Sequence, residues 1–200
     1  VSVCHIYIGD GRDDYHAASL YSISKHLPEP DATVVIDDRD HQLGFAGAVQ
    51  KAWDEALATG CDYVFHCELD FTYNEPVPVD RMIGVLERHP EVAQLSLKRQ
   101  PVNAEEQAAG DILALHIEDY HEVTDGVDVW VNQRRWFTTN PSLYRTDLCR
   151  RGWPQCRFSE GTFTIRYLQD NPTHWFGVWG ARLDLPRVTH VGLHRVGVGY

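Results

Sequence analysis

The sequence predicts an α/β protein, with a mostly parallel sheet flanked by helices and residues 1–200 forming one domain. Three observations point there. Short apolar runs alternate with stretches of helical spacing, the rhythm of a parallel sheet. Several of these runs end in glycine or acidic residues, where a strand turns toward a site. The composition, 43% hydrophobic, 11% aromatic and 24% charged, supplies core formers at a globular level.

Val3 to Ile8 reads as a buried strand closing at Gly9-Asp10-Gly11, and Tyr15 to Leu27 carries apolar residues at helical spacing until Pro28 and Pro30 stop it. Thr33 to Ile36 is a second strand, ending in Asp37-Asp38. Gly44 to Ala58 is a helix closed by Gly60, and Tyr63 to Cys67 a third strand. Val79 to Arg88 is helical and Val92 to Leu97 extended. Beyond Lys98 the rhythm weakens. Arg99 to Gly110 reads as a loop, Ile112 to Ile117 as a strand, and Val127 to Val131 as a short strand. Ser159 to Leu168 has helical spacing, Trp175 to Trp179 is strand-like, and Arg187 to Tyr200 is rich in Gly and His.

A net charge of −11 argues against nonspecific nucleic-acid or anionic-membrane binding, which needs a basic face. No apolar stretch reaches the roughly 18 residues of a membrane span, and no signal peptide opens the sequence. A soluble cytoplasmic protein is expected, and Val1 in place of Met suggests processing or trimming. Five cysteines, without a Cys-x-x-Cys pair, suggest free thiols and not a disulfide scaffold or zinc ribbon. A Gly-x-Ser-x-Gly elbow, a P-loop, a His-Glu-x-x-His helix and a GxGxxG fingerprint are all missing from the sequence.

The most informative position is Asp70. The run Asp62-Tyr-Val-Phe-His-Cys-Glu68-Leu-Asp70 puts an acid-x-acid triplet just past a strand, and ligands of open α/β sheets gather beyond the carboxyl ends of strands. A hard divalent cation carrying a diphosphate takes one or two such carboxylates. Gly44-Phe-Ala-Gly47 starts the preceding helix, where backbone can approach an anion; a tight helix start packed on the sheet explains it equally well. Asp38 has the chemistry to accept hydrogen bonds from a base or ribose, or to serve as a solvated turn residue.

In their order, a strand ending in Asp-Asp, a Gly-Phe-Ala-Gly helix and a strand ending in acid-x-Asp resemble the nucleotide-binding half of GT-A glycosyltransferases, particularly the family 2-like group. The resemblance covers roughly residues 1–100, with 101–200 as an acceptor-side half ending in a lid over the donor. It implies that Asp38 contacts the nucleobase, that Glu68 lies near ribose or metal, and that Asp70 coordinates Mn2+ or Mg2+ on the donor diphosphate. Glu68 departs from the commoner Asp. The segment Arg187-Val-Thr-His190-Val-Gly-Leu-His194-Arg195 resembles the run supplying a metal histidine in polypeptide GalNAc-transferases, which favours His190 over His194 as metal ligand, with Arg195 beside the phosphates.

Phe158-Ser-Glu160-Gly-Thr-Phe-Thr resembles the acceptor-side acidic motif of this superfamily, which makes Glu160 the base for an inverting transfer. A first-turn glutamate placed after a Ser159 cap is the plain alternative. Glu160 also resembles a ligand-holding glutamate of the retaining GalNAc-transferases, so stereochemistry stays open. Trp136 to Tyr144 falls where the superfamily has an acceptor-facing strand and loop. Trp130, Trp136, Trp153, Trp175 and Trp179 offer sugar-stacking faces, although most are expected in the core.

The expected activity is metal-dependent transfer of a sugar from a nucleoside diphosphate, most often UDP, to a protein or glycan. The chain also resembles compact glycosyltransferases of bacteria and their phages. The rivals are a sugar nucleotidyltransferase, suggested by Gly9-Asp-Gly-Arg12, and a non-catalytic carbohydrate- or nucleotide-binding module.

Overall fold

The computed structural model describes residues 1–40 and 42–192. The chain begins with β1 (Val3–Gly9), α1 (Asp13–His26) and β2 (Ala32–Asp37), then α2 (Gly44–Thr59), β3 (Tyr63–Glu68) and the short β4 (Phe71–Tyr73). Next come α3 (Val79–Arg88), β5 (Val92–Leu97), α4 (Ala104–Ala109), α5 (Ile112–Leu115) and a 3-10 turn, Ile117–Asp119. β6 (His121–Thr124), β7 (Val129–Gln133) and β8 (Ser142–Arg145) precede a 3-10 segment at Thr146–Arg151, and α6 (Ser159–Asp170), β9 (Trp175–Trp179) and β10 (Val188–His190) follow.

Eight strands form one sheet in the order β2-β1-β3-β8-β5-β9-β7-β6. β2, β1, β3, β5, β9 and β6 run one way, and β8 and β7 run against them. The sheet is thus mostly parallel in strand direction. β8 wedges between β3 and β5, so the two halves expected from the sequence share one sheet and interleave within it.

Each face of the sheet carries a core, because side chains of a strand alternate between faces. On one face Cys4, Ile6, Ile8, Val34, Ile36 and Val64 pack under α2 and α6. At its centre the fully buried Trp53 donates its indole N–H to the Tyr144 hydroxyl at 2.9 Å and meets Phe137, Trp153 and Phe163 edge-on. On the other face Tyr63, Phe65, Cys67 and Leu143 pack beneath α1 and α3, through Ile23, Leu27, Met82, Val85 and Leu86. Among the described residues no helix is long and apolar enough to cross a membrane.

Three expectations are corrected. Residues 99–110 are not all loop: Asn103 accepts the Glu106 amide, and Glu106 accepts from the Val102 amide, which together cap α4. Ile112 to Ile117 is not a strand, since Asp111 caps the helical turn α5 through the Ala114 amide. The strand expected at Val127–Val131 starts two residues later and forms a hairpin with β6. Cys4, Cys61, Cys67 and Cys149 are buried free thiols, whereas Cys156 is exposed.

Candidate active site

The parallel strands β2, β1 and β3 end side by side, and a cavity of about 460 Å³ opens at their carboxyl ends. Its wall includes Asp10 and Arg12 after β1, Asp38 after β2, Gly44 and Gly47 at the start of α2, and Glu68 and Asp70 after β3. Five residues singled out from the sequence therefore meet in one cavity. Backbone bonds hold the rim: the Asp38 amide donates to the Gly9 carbonyl and the Leu69 amide to the Ile8 carbonyl, both at 2.8 Å.

Asp38 is buried and accepts the Leu43 amide through Oδ1 at 2.9 Å, so it shapes the loop that delivers α2. Gly44 opens α2 at φ +61°, a conformation only glycine adopts without strain. The first-turn amides of this helix have no acceptor within the helix and point their partial positive charge toward the cavity end.

Asp70 is nearly inaccessible, with 4% of its side chain exposed, and two cationic or ring nitrogens reach its Oδ2. One is Arg12 Nη2 at 2.9 Å; the other is His190 Nε2 at 3.1 Å. The sequence carries no cue that Arg12 belongs with Asp70, because 58 positions separate them and only the fold joins them. Its Nε also pairs with Asp10 at 2.7 Å, and its guanidinium sits 4.9 Å from the Tyr15 ring centroid.

The placement of His190 follows from β10 pairing antiparallel to β4 in the register His190–Phe71. The two rings stack 4.5 Å apart at 9°. Gln100 holds the His190 backbone on both sides, accepting from its amide at 2.9 Å and donating to its carbonyl at 3.0 Å. The next amides, Val191 and Gly192, turn back onto the Asp70 carbonyl. His194, Arg195 and the glycine-rich lid lie outside the described residues.

A carboxylate oxygen and an imidazole nitrogen are donor types that a divalent cation accepts, although Arg12 is paired with the same Asp70 oxygen. Two neighbouring ligand atoms about 2.1 Å from one octahedral ion stand about 3 Å apart, and Asp70 Oδ2 and His190 Nε2 are separated by 3.1 Å. Among the described residues His116, Glu118 and Asp119 also bring ligand atoms within 4.8 Å of one another. They do not line this cavity, and Asp119 is paired with Arg135.

Glu160 is set apart from this group: it is not among the residues lining the cavity, although Gln155, Cys156 and Arg157 are. Its Oε1 accepts the Thr139 amide at 2.7 Å and the Thr139 hydroxyl at 3.0 Å. Burial raises its pKa above the ordinary 4.5, against those hydrogen bonds. Ser159 is not the cap of α6; Phe158 takes that position without a side-chain bond, and Ser159 is itself buried. Of the tryptophans, Trp130, Trp153 and Trp179 are core, and Trp136 is 46% exposed beside Gly161.

No family model and no curated protein matches the chain. Solved structures do. TarS residues 1–349 from S. aureus, in complex with UDP-GlcNAc, superposes with a TM-score of 0.59 at 16% identity, over 98% of this chain and 62% of that one. The same protein with UDP gives 0.57 at 15% identity, over 94% and 60%. A197 from STIV gives 0.51 at 6% identity, over 94% and 83%. The chain spans about three-fifths of the length of the TarS fragment it matches. The likeness carries the fold, which is the GT-A-like α/β arrangement expected from the sequence. The resemblance of residues 187–195 to GalNAc-transferases rests on that segment alone.

Proposed function

We propose that the protein transfers a sugar from a nucleoside diphosphate donor, UDP-linked in the first instance, to a hydroxyl of a protein or glycan. The observation that carries this reading is the single cavity that joins Asp38, the start of α2, Glu68 and Asp70 at the ends of three parallel strands. The fold around it is shared with a protein solved with UDP-GlcNAc.

Asp70 and His190 would hold Mn2+ or Mg2+, and the bound cation would offset charge developing on the leaving diphosphate. Asp38 and Glu68 are assigned to base and ribose, the α2 amides to phosphate oxygens, and Arg195 to a supporting phosphate contact. Glu160 is assigned to the acceptor side, where a raised pKa suits a group that must take a proton from a hydroxyl. Residues 1–100 supply most donor contacts and 101–200 the acceptor side, in a protein placed in the cytoplasm.

Calorimetric titration of UDP and GDP, with and without Mn2+, tests the reading in the wild type and in Asp70→Asn. UDP binding that needs Mn2+ and disappears in Asp70→Asn is expected. Absence of binding by either nucleotide would sink the proposal. One observation favours a second reading: Arg12 follows the first strand and reaches into the cavity, as a basic residue does in sugar nucleotidyltransferases. The products separate the two, since transfer releases UDP and nucleotidyl chemistry releases pyrophosphate.

A further inference from the structure

We infer that Arg12 is a resident counter-cation of Asp70 that keeps a bare divalent ion out of the site and yields it when a diphosphate enters. The inference rests on the donor-site reading above and concerns how metal and nucleotide depend on each other.

The guanidinium is held in place. Its Nη2 lies 2.9 Å from Asp70 Oδ2, its Nε 2.7 Å from Asp10 Oδ2, and its Nη1 donates to the Gly192 carbonyl at 3.4 Å. Tyr15 lies beneath it. Groups on two chain segments, Asp10 with Tyr15 and Gly192, thus aim one cation at one carboxylate oxygen. That oxygen is also the one His190 Nε2 approaches, so a metal shared by Asp70 and His190 would compete with Arg12 for it. A divalent ion and a guanidinium a few ångströms apart repel, and in a poorly solvated wall that repulsion is weakly screened.

A diphosphate removes the conflict. Phosphate oxygens are good bidentate acceptors for a guanidinium, and they also complete the coordination of the cation. Arg12 can therefore leave Asp70 for the phosphate at little cost while the ion takes Asp70. The metal should bind weakly alone and tightly with the nucleotide, and by linkage each should strengthen the other by the same factor.

The test measures Mn2+ binding without nucleotide, from the loss of the free-ion electron paramagnetic resonance signal, in wild type, Arg12→Gln, Arg12→Lys and Arg12→Gln/Asp70→Asn. A hydrogen bond to a charged group contributes enough that Arg12→Gln should tighten Mn2+ roughly ten- to hundredfold. Arg12→Lys should stay as weak as wild type, and the double variant should lose the gain. UDP binding with saturating Mn2+ should weaken in Arg12→Gln, so the coupling factor shrinks. Equal or weaker Mn2+ binding in a folded Arg12→Gln overturns the inference, as does no Mn2+ binding by either protein at millimolar concentration. If wild type binds Mn2+ as expected but never UDP, the donor reading fails, and the Mn2+ comparison still decides the role of Arg12 as guard of Asp70.

Discussion

Gly192 offers a direct way to disturb Asp70 without touching its chemistry. A Cβ placed on Gly192 would lie 2.4 Å from Asp70 Oδ2, 2.7 Å from its Cβ and 2.9 Å from its Cγ. None of these atoms is the end of a long flexible side chain, so either the Asp70 side chain or the 190–192 segment must move. Moving the segment weakens the Val191 and Gly192 bonds to the Asp70 carbonyl, at 2.8 and 3.3 Å. Overpacking and two weakened hydrogen bonds together cost about 2–4 kcal/mol. For a chain of this size that is roughly 4–16 °C in Tm. Gly192→Ala should show this loss by thermal unfolding, and its Mn2+-dependent UDP affinity should fall about 10–100-fold, as when a group that orients a metal ligand is lost. Gly60→Ala is the control: its φ of +74° strains a side chain, but nothing lies within 4 Å of the added atom. It should cost about 1–2 kcal/mol and leave binding intact. A Gly192→Ala protein with wild-type Tm and UDP affinity would refute the argument that this close approach sets Asp70.

Glu160→Gln keeps an oxygen for the Thr139 amide and hydroxyl while removing the charge. Because burial raises the folded pKa above 4.5, the folded state holds the proton more tightly, and stability falls as pH rises from 4.5 through that raised value. Denaturation curves across pH should therefore find Glu160→Gln more stable than wild type near neutrality and the difference vanishing below pH 4.5, while transfer is lost. Asn103→Ala removes the side-chain acceptor of the Glu106 amide at the start of α4 and should lower stability by about 1 kcal/mol in urea denaturation. In a thiol-reagent titration, Cys156 should react fast and alone in the native protein, and UDP with Mn2+ should slow it, since Cys156 is exposed and lines the cavity. Cys4 and Cys67 should stay silent until unfolding, because burial pushes their pKa values up to about 11 and about 12.

The sequence made the parallel framework legible wherever a period could repeat. β1, β3 and β5 are apolar runs bounded by turn residues, and α2 and α3 carry a buried stripe long enough to show helical spacing. Four-residue runs carry no such signal. Ile112-Leu-Ala-Leu115 is apolar throughout, so its period is undefined, and the Asp111 cap was the only cue to its helical state. In α4 the cue was Asn103-x-x-Glu106, a capping pattern hidden inside a polar stretch. β8 and the β4–β10 pair are extended through pairing with strands distant in sequence, which no local pattern states. The site followed the same rule. Asp38, Glu68 and Asp70 were readable because strand ends mark them, whereas Arg12, Gln100 and Phe71 act through partners distant in the chain, 180 positions away for Arg12 and Gly192 and 119 for Phe71 and His190.

The separation between Glu160 and the Asp70 cavity bears on the order of events in space. A donor spans base, ribose, diphosphate and sugar, so a group acting on the acceptor belongs beyond the phosphates and not among them. On the proposed reading, one short segment joins the two sides. Gln155, Cys156 and Arg157 line the cavity, and three residues further on Glu160 is tied to Thr139 on the loop leading into β8. β8 in turn lies against β3, the strand that ends at Glu68 and delivers Asp70. Glu160 and Asp70 are thus tied to segments that flank neighbouring strands of one sheet. On the proposed reading, the Glu160 side-chain bonds to Thr139 and the pairing of β3 with β8 together hold the two carboxylates in one framework.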